Sequence, residues 1–196
     1  DVLIIEKQDK VGGTSATSGG GIWIRNSHYA KEAGAEDNPQ DARAYLMNTL
    51  FGEDVPEEMI DIYLEKSPEM LKFLHDRTDV RYESLAEYPD YYTNMEGARA
   101  GHRSLEPAPI MASELGENWK NMTWTHFMMR MFNRIHFTQV EAHLLMVQLP
   151  GWKKLLARLM WDYIRDIPWR LTTPISRRLA RGSAGVARLS LSVFKR

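Results

Sequence analysis

The stretch from residue 1 to residue 23 constrains the fold of this chain more than any other. It opens with Val2–Ile5, an apolar run rich in β-branched residues that is typical of a strand buried on both faces, and the run ends at Glu6. In a nucleotide-binding β-α-β unit, a carboxylate at the tip of the second strand accepts hydrogen bonds from ribose hydroxyls, about 20 residues after a glycine-rich turn. Since the sequence begins at Asp1, that turn has no room here, and we expect the sequence to start inside a fold element.

A segment rich in glycine and hydroxyl groups follows this run. Residues 12–21 contain five glycines and four Ser or Thr residues. Glycine lets backbone amides approach a phosphate or a flat ring closely, and Ser and Thr hydroxyls can donate to phosphate oxygens. A flavin pyrophosphate would fit such a surface, whereas the alternative is a flexible Gly/Ser loop. The position of the segment, shortly after a strand that ends in Glu6 and Lys7, favours the first interpretation.

Two segments carry a resemblance to a known family. EKQDKVGGTSATSGGGIWI, residues 6–24, resembles the FAD-binding segment of the flavoprotein superfamily of fumarate reductases and 3-ketosteroid dehydrogenases. YPDYYTNMEGARAGHRSLEPAPI, residues 88–110, resembles a stretch of the 3-ketosteroid-Δ1-dehydrogenase branch with an Asp-Tyr-Tyr turn and a Gly-x-Arg-Ser-x-Glu-Pro motif. The tail, residues 177–196, resembles the family less specifically. The resemblance implies an α/β fold class: an incomplete Rossmann-like FAD-binding domain with mostly helical insertions.

The resemblance also implies a cofactor and a reaction. Members of this family hold FAD noncovalently, remove hydrogens from C1 and C2 of a 3-ketosteroid and pass the electrons to an external acceptor. The expected partners are therefore a steroid or another hydrophobic enone and an external electron acceptor. The residues expected to bind the cofactor are Glu6, Lys7, Gly12, Gly13, Thr14, Ser15, Ser18, Gly19, Gly20 and Gly21.

Three tyrosines are the candidates for chemistry. Judged from spacing alone, tyrosines around Pro-Asp pack a loop more often than they catalyse, because a phenol titrates near pH 10 and transfers protons only in a special setting. By resemblance, Tyr91 falls on the tyrosine that supports a second tyrosine acting as the base, so it is the expected catalytic residue. Tyr88 and Tyr92 fall on the substrate side. The tyrosines that would complete the site are expected beyond Arg196.

Two alternatives to this function stay open. One is a fumarate-reductase-like or other enone-acting flavoprotein, which would use a reactive arginine in place of the downstream tyrosines. The other is a non-catalytic remnant. The sequence identifies neither the substrate nor the acceptor.

The middle of the chain predicts helices. Asn38-Pro39 indicates a helix start with Pro in the first turn, and Pro56 indicates another. Ser67-Pro68 predicts a fresh helix start, with Ser67 as the N-cap, rather than the interior of one long helix. Residues 80–83 alternate as a strand does, and we expect the Tyr88–Tyr92 turn beside the sheet.

The expected organisation is one truncated FAD-binding domain over residues 1–196. Its three parts are a nucleotide-binding strand with glycine-rich loops (1–36), helices with a strand and the substrate-side turn (37–110), and a helical, basic C-terminal part (111–196). Family members are far longer than 196 residues, so we expect this chain to be a fragment that is inactive alone.

Composition narrows the remaining possibilities. The chain has a net charge of −1 and no cysteine, which excludes disulfides, thiolate metal sites and a flavin link through cysteine, and we expect no nucleic-acid partner. His126, His136 and His143 fit no compact metal-ligand spacing, so no metal site is expected. No signal peptide is recognisable and the apolar runs fall far short of about 18 residues, which favours a cytoplasmic location.

The C-terminal quarter is strongly basic. From Lys153 to Arg196 there are eleven Lys and Arg residues against Asp162 and Asp166, with tryptophans interleaved. Such a stretch is typical of a solvated helical face, and it also fits peripheral contact with an anionic membrane surface.

Overall fold

The structure is a computed structural model that describes residues 5–195. The predicted strand Val2–Ile5 lies outside the described residues except for Ile5. Ile5 is 83% exposed and belongs to no strand. The burial predicted for this run on both faces is therefore wrong for Ile5.

The described residues form a mixed fold of helices and short strands. The helices are α1 (Gly13–Thr17), α2 (His28–Glu32), α3 (Pro39–Asn48), α4 (Glu57–Arg77), α5 (Gln139–Met146), α6 (Trp152–Arg165), α7 (Ile167–Arg170) and α8 (Arg181–Phe194). The strands are β1 (Ile22–Trp23), β2 (Tyr82–Ser84), β3 (Ser104–Pro107), β4 (Ile110–Met111), β5 (Arg130–Met131), β6 (Ile135–His136) and β7 (Arg178–Leu179). Two 3₁₀ segments span Ala112–Asn121 and Phe127–Met129. The chain divides into two compact units: Ile22–Glu106 form one, and the residues before and after that range form the other.

The unit Ile22–Glu106, called the tyrosine unit below because it carries the tyrosine turn, is built on a three-stranded sheet. The strand order is β1-β3-β2, and β1 runs antiparallel to β3 with Ile22 opposite Leu105. Ile24, Leu71 and Leu105 form its buried core. The core therefore packs helix α4 against the sheet that carries Trp23.

Helix α4 departs from the sequence expectation. It runs unbroken from Glu57 to Arg77 with Pro68 inside, so the predicted helix start at Ser67 is wrong. A proline inside a helix removes one hydrogen bond and costs about 3 kcal/mol. Here Leu64 and Leu71, two turns apart, are both buried on the same face. Burial of these two leucines, one on each side of Pro68, offsets that cost, so the helix continues past the proline.

Two local predictions are confirmed, one with shifted bounds. Helix α3 begins at Pro39, and the Asn38 side chain caps it by accepting a hydrogen bond from Gln40 N at 2.9 Å. The predicted strand is present as β2, which begins at Tyr82. Both signals are local, since caps and alternation act over a few residues.

The other unit, called the glycine unit because it contains the glycine-rich segment, is mostly helical. Helix α1 packs against α8, strand β4 pairs antiparallel with β7, and β5 pairs antiparallel with β6. The buried core of this unit is apolar. It comes from β4, β7, α7, α8 and the first 3₁₀ segment with the residue after it: Ile110, Ala112, Leu115, Met122, Trp169, Leu179, Ala184, Ala187 and Leu191. This packing fixes the N-terminus of α8 beside the glycine-rich segment.

Candidate functional site

The glycine-rich segment folds as one turn of helix followed by a tight loop. Gly20 has φ +71°, and a Cβ there would lie 2.7 Å from the Gly182 Cα. At Gly182, a Cβ would overlap the Ser15 carbonyl oxygen and lie 2.7 Å from that of Ser18. Glycine is required at both positions because the backbones of the loop and of α8 are in direct contact. The Gly182 amide donates to Ser18 O at 3.2 Å, which joins the two.

The hydroxyl groups of this segment divide into two kinds. Ser18 Oγ donates to Ser15 O at 2.9 Å and accepts from Gly20 N at 3.0 Å, so it shapes the loop. The Thr14 and Ser15 hydroxyls have no hydrogen-bond partner among residues 5–195 and are exposed. At Gly19, no described residue other than its chain neighbours places an atom within 4 Å of the position that a Cβ would take. Unpaired donors beside bare backbone fit a polar, flat or phosphorylated ligand.

The predicted cofactor residues lie together in the glycine unit. Gly13, Thr14, Ser15 and Gly21 are exposed, and Gly12, Ser18, Gly19 and Gly20 are half-buried. Glu6 and Lys7 are exposed, and Glu6 Oε1 accepts a hydrogen bond from Gln8 N at 3.0 Å. The second carboxylate oxygen of Glu6 makes no hydrogen bond to residues 5–195 and is free to accept one from a ligand.

A buried polar network lies behind the N-terminus of α8. Thr125 Oγ1 and Ser183 Oγ are 2.8 Å apart, and His136 Nδ1 lies 3.2 Å from Ser176 Oγ. His136 is 1% exposed. Burial, and then the nearby charges of three arginines, lower the pKa of His136 to about 3. His136 is therefore a neutral hydrogen-bonding residue at ordinary pH. Sequence spacing gave no signal for this network.

The three candidate tyrosines lie on one turn of the tyrosine unit. Tyr91 is 84% exposed, Tyr92 is 45% exposed, and Tyr88 is half-buried. The Tyr88 hydroxyl donates to the Tyr91 hydroxyl over a long 3.5 Å, and their rings meet edge to face with centroids 6.3 Å apart. The Tyr92 amide donates to the Tyr45 hydroxyl at 3.2 Å. The turn therefore presents a pair of phenols at its surface.

The turn lies beside the sheet, as expected from the sequence, and it is attached there through Asp90, for which the sequence predicted no role. Asp90 is 4% exposed, and its Oδ1 accepts a hydrogen bond from Trp23 Nε1 of β1 at 2.7 Å. Its Oδ2 accepts from Arg103 Nη1 at 2.8 Å and from Arg99 N at 2.9 Å. One buried carboxylate therefore fixes the turn by accepting hydrogen bonds from three donors.

Arg103 is the centre of the buried charges beneath the turn. Its Nε and Nη2 donate to the two carboxylate oxygens of Asp37 at 2.8 and 2.9 Å. Burial alone would raise the pKa of Asp37, but hydrogen bonds and charge from Arg103 and Arg99 hold that pKa below its ordinary value. Sequence reasoning placed Arg103 in a motif without a role and missed Asp37 and Asp90. The motif itself was the available signal for Arg103.

The two sets of predicted site residues lie in different units. The glycine-rich segment belongs to the glycine unit, and Tyr88, Tyr91 and Tyr92 belong to the tyrosine unit. Tyr88 and Tyr91 are in contact, and the ten predicted cofactor residues all belong to the glycine unit.

The basic C-terminal part lines a cavity of about 430 Å³ within the glycine unit. Several of its arginines are paired within the unit: Arg178 donates to both oxygens of Glu141 at 2.9 and 3.1 Å, and Arg177 pairs with Asp166. The positive charge of this part is therefore partly neutralised within the unit. Within residues 5–195, no helix combines the length and apolar character that crossing a membrane requires.

Comparison with known proteins assigns a family to this chain. The sequence model of the family described as "FAD binding domain" matches residues 1–189, which indicates FAD as the cofactor. A 3-oxosteroid 1-dehydrogenase of Mycobacterium tuberculosis is 43% identical over 114 residues, covering 58% of this chain and 20% of that protein. A 4-oxocyclohexanecarboxylate 2-dehydrogenase of Sinomonas cyclohexanicum is 38% identical over 106 residues, covering 54% of this chain and 18% of that protein.

A solved structure resembles nearly the whole chain. It is a 3-ketosteroid Δ1-dehydrogenase from Sterolibacterium denitrificans in complex with 1,4-androstadiene-3,17-dione, with a TM-score of 0.90 and 32% identity. The match covers 98% of this chain and 34% of that one. The chain therefore spans at most about a third of the length of these relatives, and its mixed helix and strand fold matches the fold of that dehydrogenase over the shared part.

Proposed function

Because this chain belongs to the family of FAD-binding domains, we propose that the protein containing it is an FAD-dependent 3-ketosteroid Δ1-dehydrogenase. Such an enzyme introduces a double bond between C1 and C2 of its substrate by removing a proton and a hydride. The observation that carries the proposal is the likeness to a steroid-bound dehydrogenase over 98% of the chain. An external electron acceptor completes the reaction, because the reduced cofactor must be reoxidised.

The glycine-rich segment is the part of the chain that we assign to FAD. Thr14 and Ser15 offer hydroxyl donors without partners among residues 5–195, and the backbone at Gly19 is open to a ligand. Glu6 offers ribose hydroxyls a carboxylate oxygen that no residue of 5–195 binds. Lys7, Gly12, Gly13, Ser18, Gly20 and Gly21 complete the proposed set. Bound FAD would supply the hydride acceptor. We propose that FAD is held noncovalently, as the resemblance to the family implies, and this chain has no cysteine that could form a thioether link to it.

The tyrosine turn is the part that we assign to the substrate. Tyr91 presents an exposed hydroxyl within 3.5 Å of that of Tyr88, so it can hold a proton-transferring partner by a hydrogen bond. Tyr88 and Tyr92 flank it and offer ring surface to an apolar substrate. We therefore propose Tyr91 as the catalytic residue of this chain and Tyr88 and Tyr92 as substrate-binding residues.

The proposed architecture is an incomplete Rossmann-like FAD-binding domain with mostly helical insertions. Residues 1–36 would supply the nucleotide-binding strand and loops, 37–110 the substrate-side turn, and 111–196 the helical, basic part. The location that we propose is cytoplasmic. Peripheral membrane contact of α6 has one feature in its favour, since Trp161 is 63% exposed beside basic residues.

A second candidate function is the desaturation of a smaller cyclic ketone. The relative named 4-oxocyclohexanecarboxylate 2-dehydrogenase favours it, because a related chain acts there on one ring rather than four. Both reactions form a double bond beside a ring ketone, so the substrate alone separates them.

The discriminating experiment is a substrate comparison with the protein encoded by the full reading frame that contains this chain, called the full-length protein below. We expect yellow protein that reduces a dye acceptor with androstenedione and far less with 4-oxocyclohexanecarboxylate. The reverse preference would favour the second candidate, and flavin-bound protein inactive on both substrates would refute the two proposals together.

A further inference from the structure

The turn that carries Tyr91 is held in place by buried residues beneath it rather than by its own exposed side chains. The Tyr91 side chain is 84% exposed, and within residues 5–195 its one hydrogen bond is the long contact to Tyr88. The preceding residue, Asp90, is 4% exposed. Its amide also donates to Arg99 O at 2.9 Å, so both its backbone and its carboxylate are fixed. The direction of the Tyr91 side chain is therefore set by the backbone one residue away.

Arg103 fixes Asp90 from several directions at once. Its side chain is 1% exposed, and all three guanidinium nitrogens donate hydrogen bonds. Nη1 donates both to Asp90 Oδ2 at 2.8 Å and to Gly97 O at 2.7 Å, so it ties together the two ends of the segment that contains Tyr91. The planar fork of an arginine supplies this geometry, whereas the single ammonium group of a lysine cannot.

Two stacked aromatic rings lie beside the guanidinium. Its Cζ lies 5.4 Å from the ring centroid of Trp23 and 5.8 Å from that of Tyr45. The Trp23 indole donates to Asp90, and the Tyr45 hydroxyl accepts from the amide of Tyr92. The same two rings therefore contact the guanidinium and also bind the turn on either side of Tyr91.

Stability alone is a weak reason for such a cluster. Buried ion pairs are often no more stabilising than apolar residues of similar volume, because taking two charges out of water costs about as much as their attraction returns. What a fully hydrogen-bonded cluster provides is a single geometry. Here that geometry belongs to the turn bearing the proposed catalytic tyrosine.

We infer that Arg103 and Asp90 are positioning residues that aim the Tyr91 hydroxyl at the reacting centre. This inference rests on the function proposed above. A misplacement of about 1 Å can cost about 100-fold in rate. The pair therefore acts on the turnover number through Tyr91, and it leaves FAD binding to the glycine unit.

The test is a double-mutant cycle on the full-length, FAD-loaded protein. Asp90→Asn keeps the side-chain shape but turns the amide NH2 either toward the donors of Arg103 and Arg99 or toward the indole N–H of Trp23, and Arg103→Lys removes the fork. We expect each to lower kcat on androstenedione by about tenfold to 100-fold, with flavin content and KM within about twofold. Tyr91→Phe should cost less in an Asp90→Asn background than in wild type, because the hydroxyl is already misdirected.

Arg43→Lys is the matched control. Arg43 also pairs with two carboxylates, those of Glu57 and Asp61, in the same unit, but its side chain is exposed and lies outside the turn. If Asp90→Asn or Arg103→Lys does not give folded holoenzyme, Trp23→Phe replaces it, since that change removes one donor to Asp90 and keeps an aromatic ring.

The outcomes distinguish failure of this inference from failure of the proposed function. Tyr91→Phe with a lowered kcat, while the positioning variants behave as Arg43→Lys does, would overturn this inference and keep the proposed function. If the fold-losses in kcat of Tyr91→Phe and of a positioning variant, Trp23→Phe included, simply multiply in the double variant, the two residues act independently. That result would also overturn the inference. A Tyr91→Phe enzyme with unchanged kcat would remove the proposed role of Tyr91 and this inference with it.

Discussion

At the scale of single residues, neighbouring positions of the tyrosine turn have different roles. Asp90 is buried and accepts three hydrogen bonds, whereas Tyr91 is 84% exposed and offers its hydroxyl outward. A similar division holds in the glycine-rich segment, where Ser18 shapes the loop and Ser15 exposes a hydroxyl that has no hydrogen-bond partner within the described range 5–195. In each segment the residue that could contact a ligand differs from the residue that fixes the backbone.

The first prediction concerns the Tyr91 hydroxyl. Tyr91→Phe in the full-length protein should lower kcat on androstenedione by about 100-fold, the lower end for loss of a positioned proton-transfer group, because the proposed role is to support the base. Flavin content should be unchanged, since the ring stays. Tyr92→Phe is the control, and we expect a milder effect, because the amide rather than the hydroxyl of Tyr92 bonds to Tyr45. Equal effects of the two changes would argue against a special role for Tyr91.

The second prediction concerns Glu6. If its carboxylate accepts hydrogen bonds from the ribose of FAD, Glu6→Ala should weaken FAD binding by about 1–3 kcal/mol, the range for hydrogen bonds to charged groups. The measurement is the FAD dissociation constant of reconstituted apoprotein, with the exposed Glu58→Ala as control. The rate at saturating FAD should barely change. An unaltered dissociation constant would make Glu6 an ordinary surface charge.

At the scale of elements, local signals were readable from the sequence and tertiary ones were not. The cap at Asn38 and the start of α3 followed from neighbouring residues. The continuity of α4 through Pro68 did not, because buried side chains on both sides of the proline decide it. The Arg103 cluster was equally hidden, since its partners lie 13 and 66 positions away in the sequence.

The contact between α1 and α8 gives the third prediction. Gly182→Ala would place a methyl group against the Ser15 carbonyl oxygen, which must move or force α8 away. We expect a loss of about 1–3 kcal/mol in unfolding free energy, as for other overpacked sites, together with weaker FAD binding. Thermal unfolding and flavin titration measure the two effects. Leu189→Ala, at an exposed position of the same helix, should leave FAD binding intact.

The buried histidine behind α8 gives the fourth prediction. The pKa of His136 is about 3 in the folded protein and 6.5 for an unperturbed histidine. Between these two pH values His136 is therefore protonated in the unfolded chain and neutral in the folded one. This single group should therefore make the unfolding free energy fall as pH decreases from 6.5 toward 3, by up to about 1.4 kcal/mol per pH unit. The measurement is the Tm between pH 4.5 and 7.5, and His136→Asn should flatten the slope. Parallel slopes for the two proteins would contradict neutral burial.

At the scale of the whole molecule, the sequence pointed to the family through two short segments, and the fold agrees over most of the chain. Residues 6–24 and 88–110 carried the resemblance, and the family model matches residues 1–189. The division into two units was not predicted, because it depends on residues before Ile22 packing with residues after Glu106. Packing between distant parts of a chain leaves no local pattern in the sequence.

We propose that FAD bound to the full-length protein takes a hydride as C1 and C2 of a 3-ketosteroid lose a hydrogen each. The most direct measurement mixes the full-length holoprotein with excess androstenedione in the absence of oxygen and of any acceptor. We predict that the oxidised flavin absorbance disappears and that one molecule of the 1,4-diene forms per flavin, identified by a mass two units lower. Flavin that stays oxidised, or flavin that is reduced without the 1,4-diene, would contradict the proposed reaction.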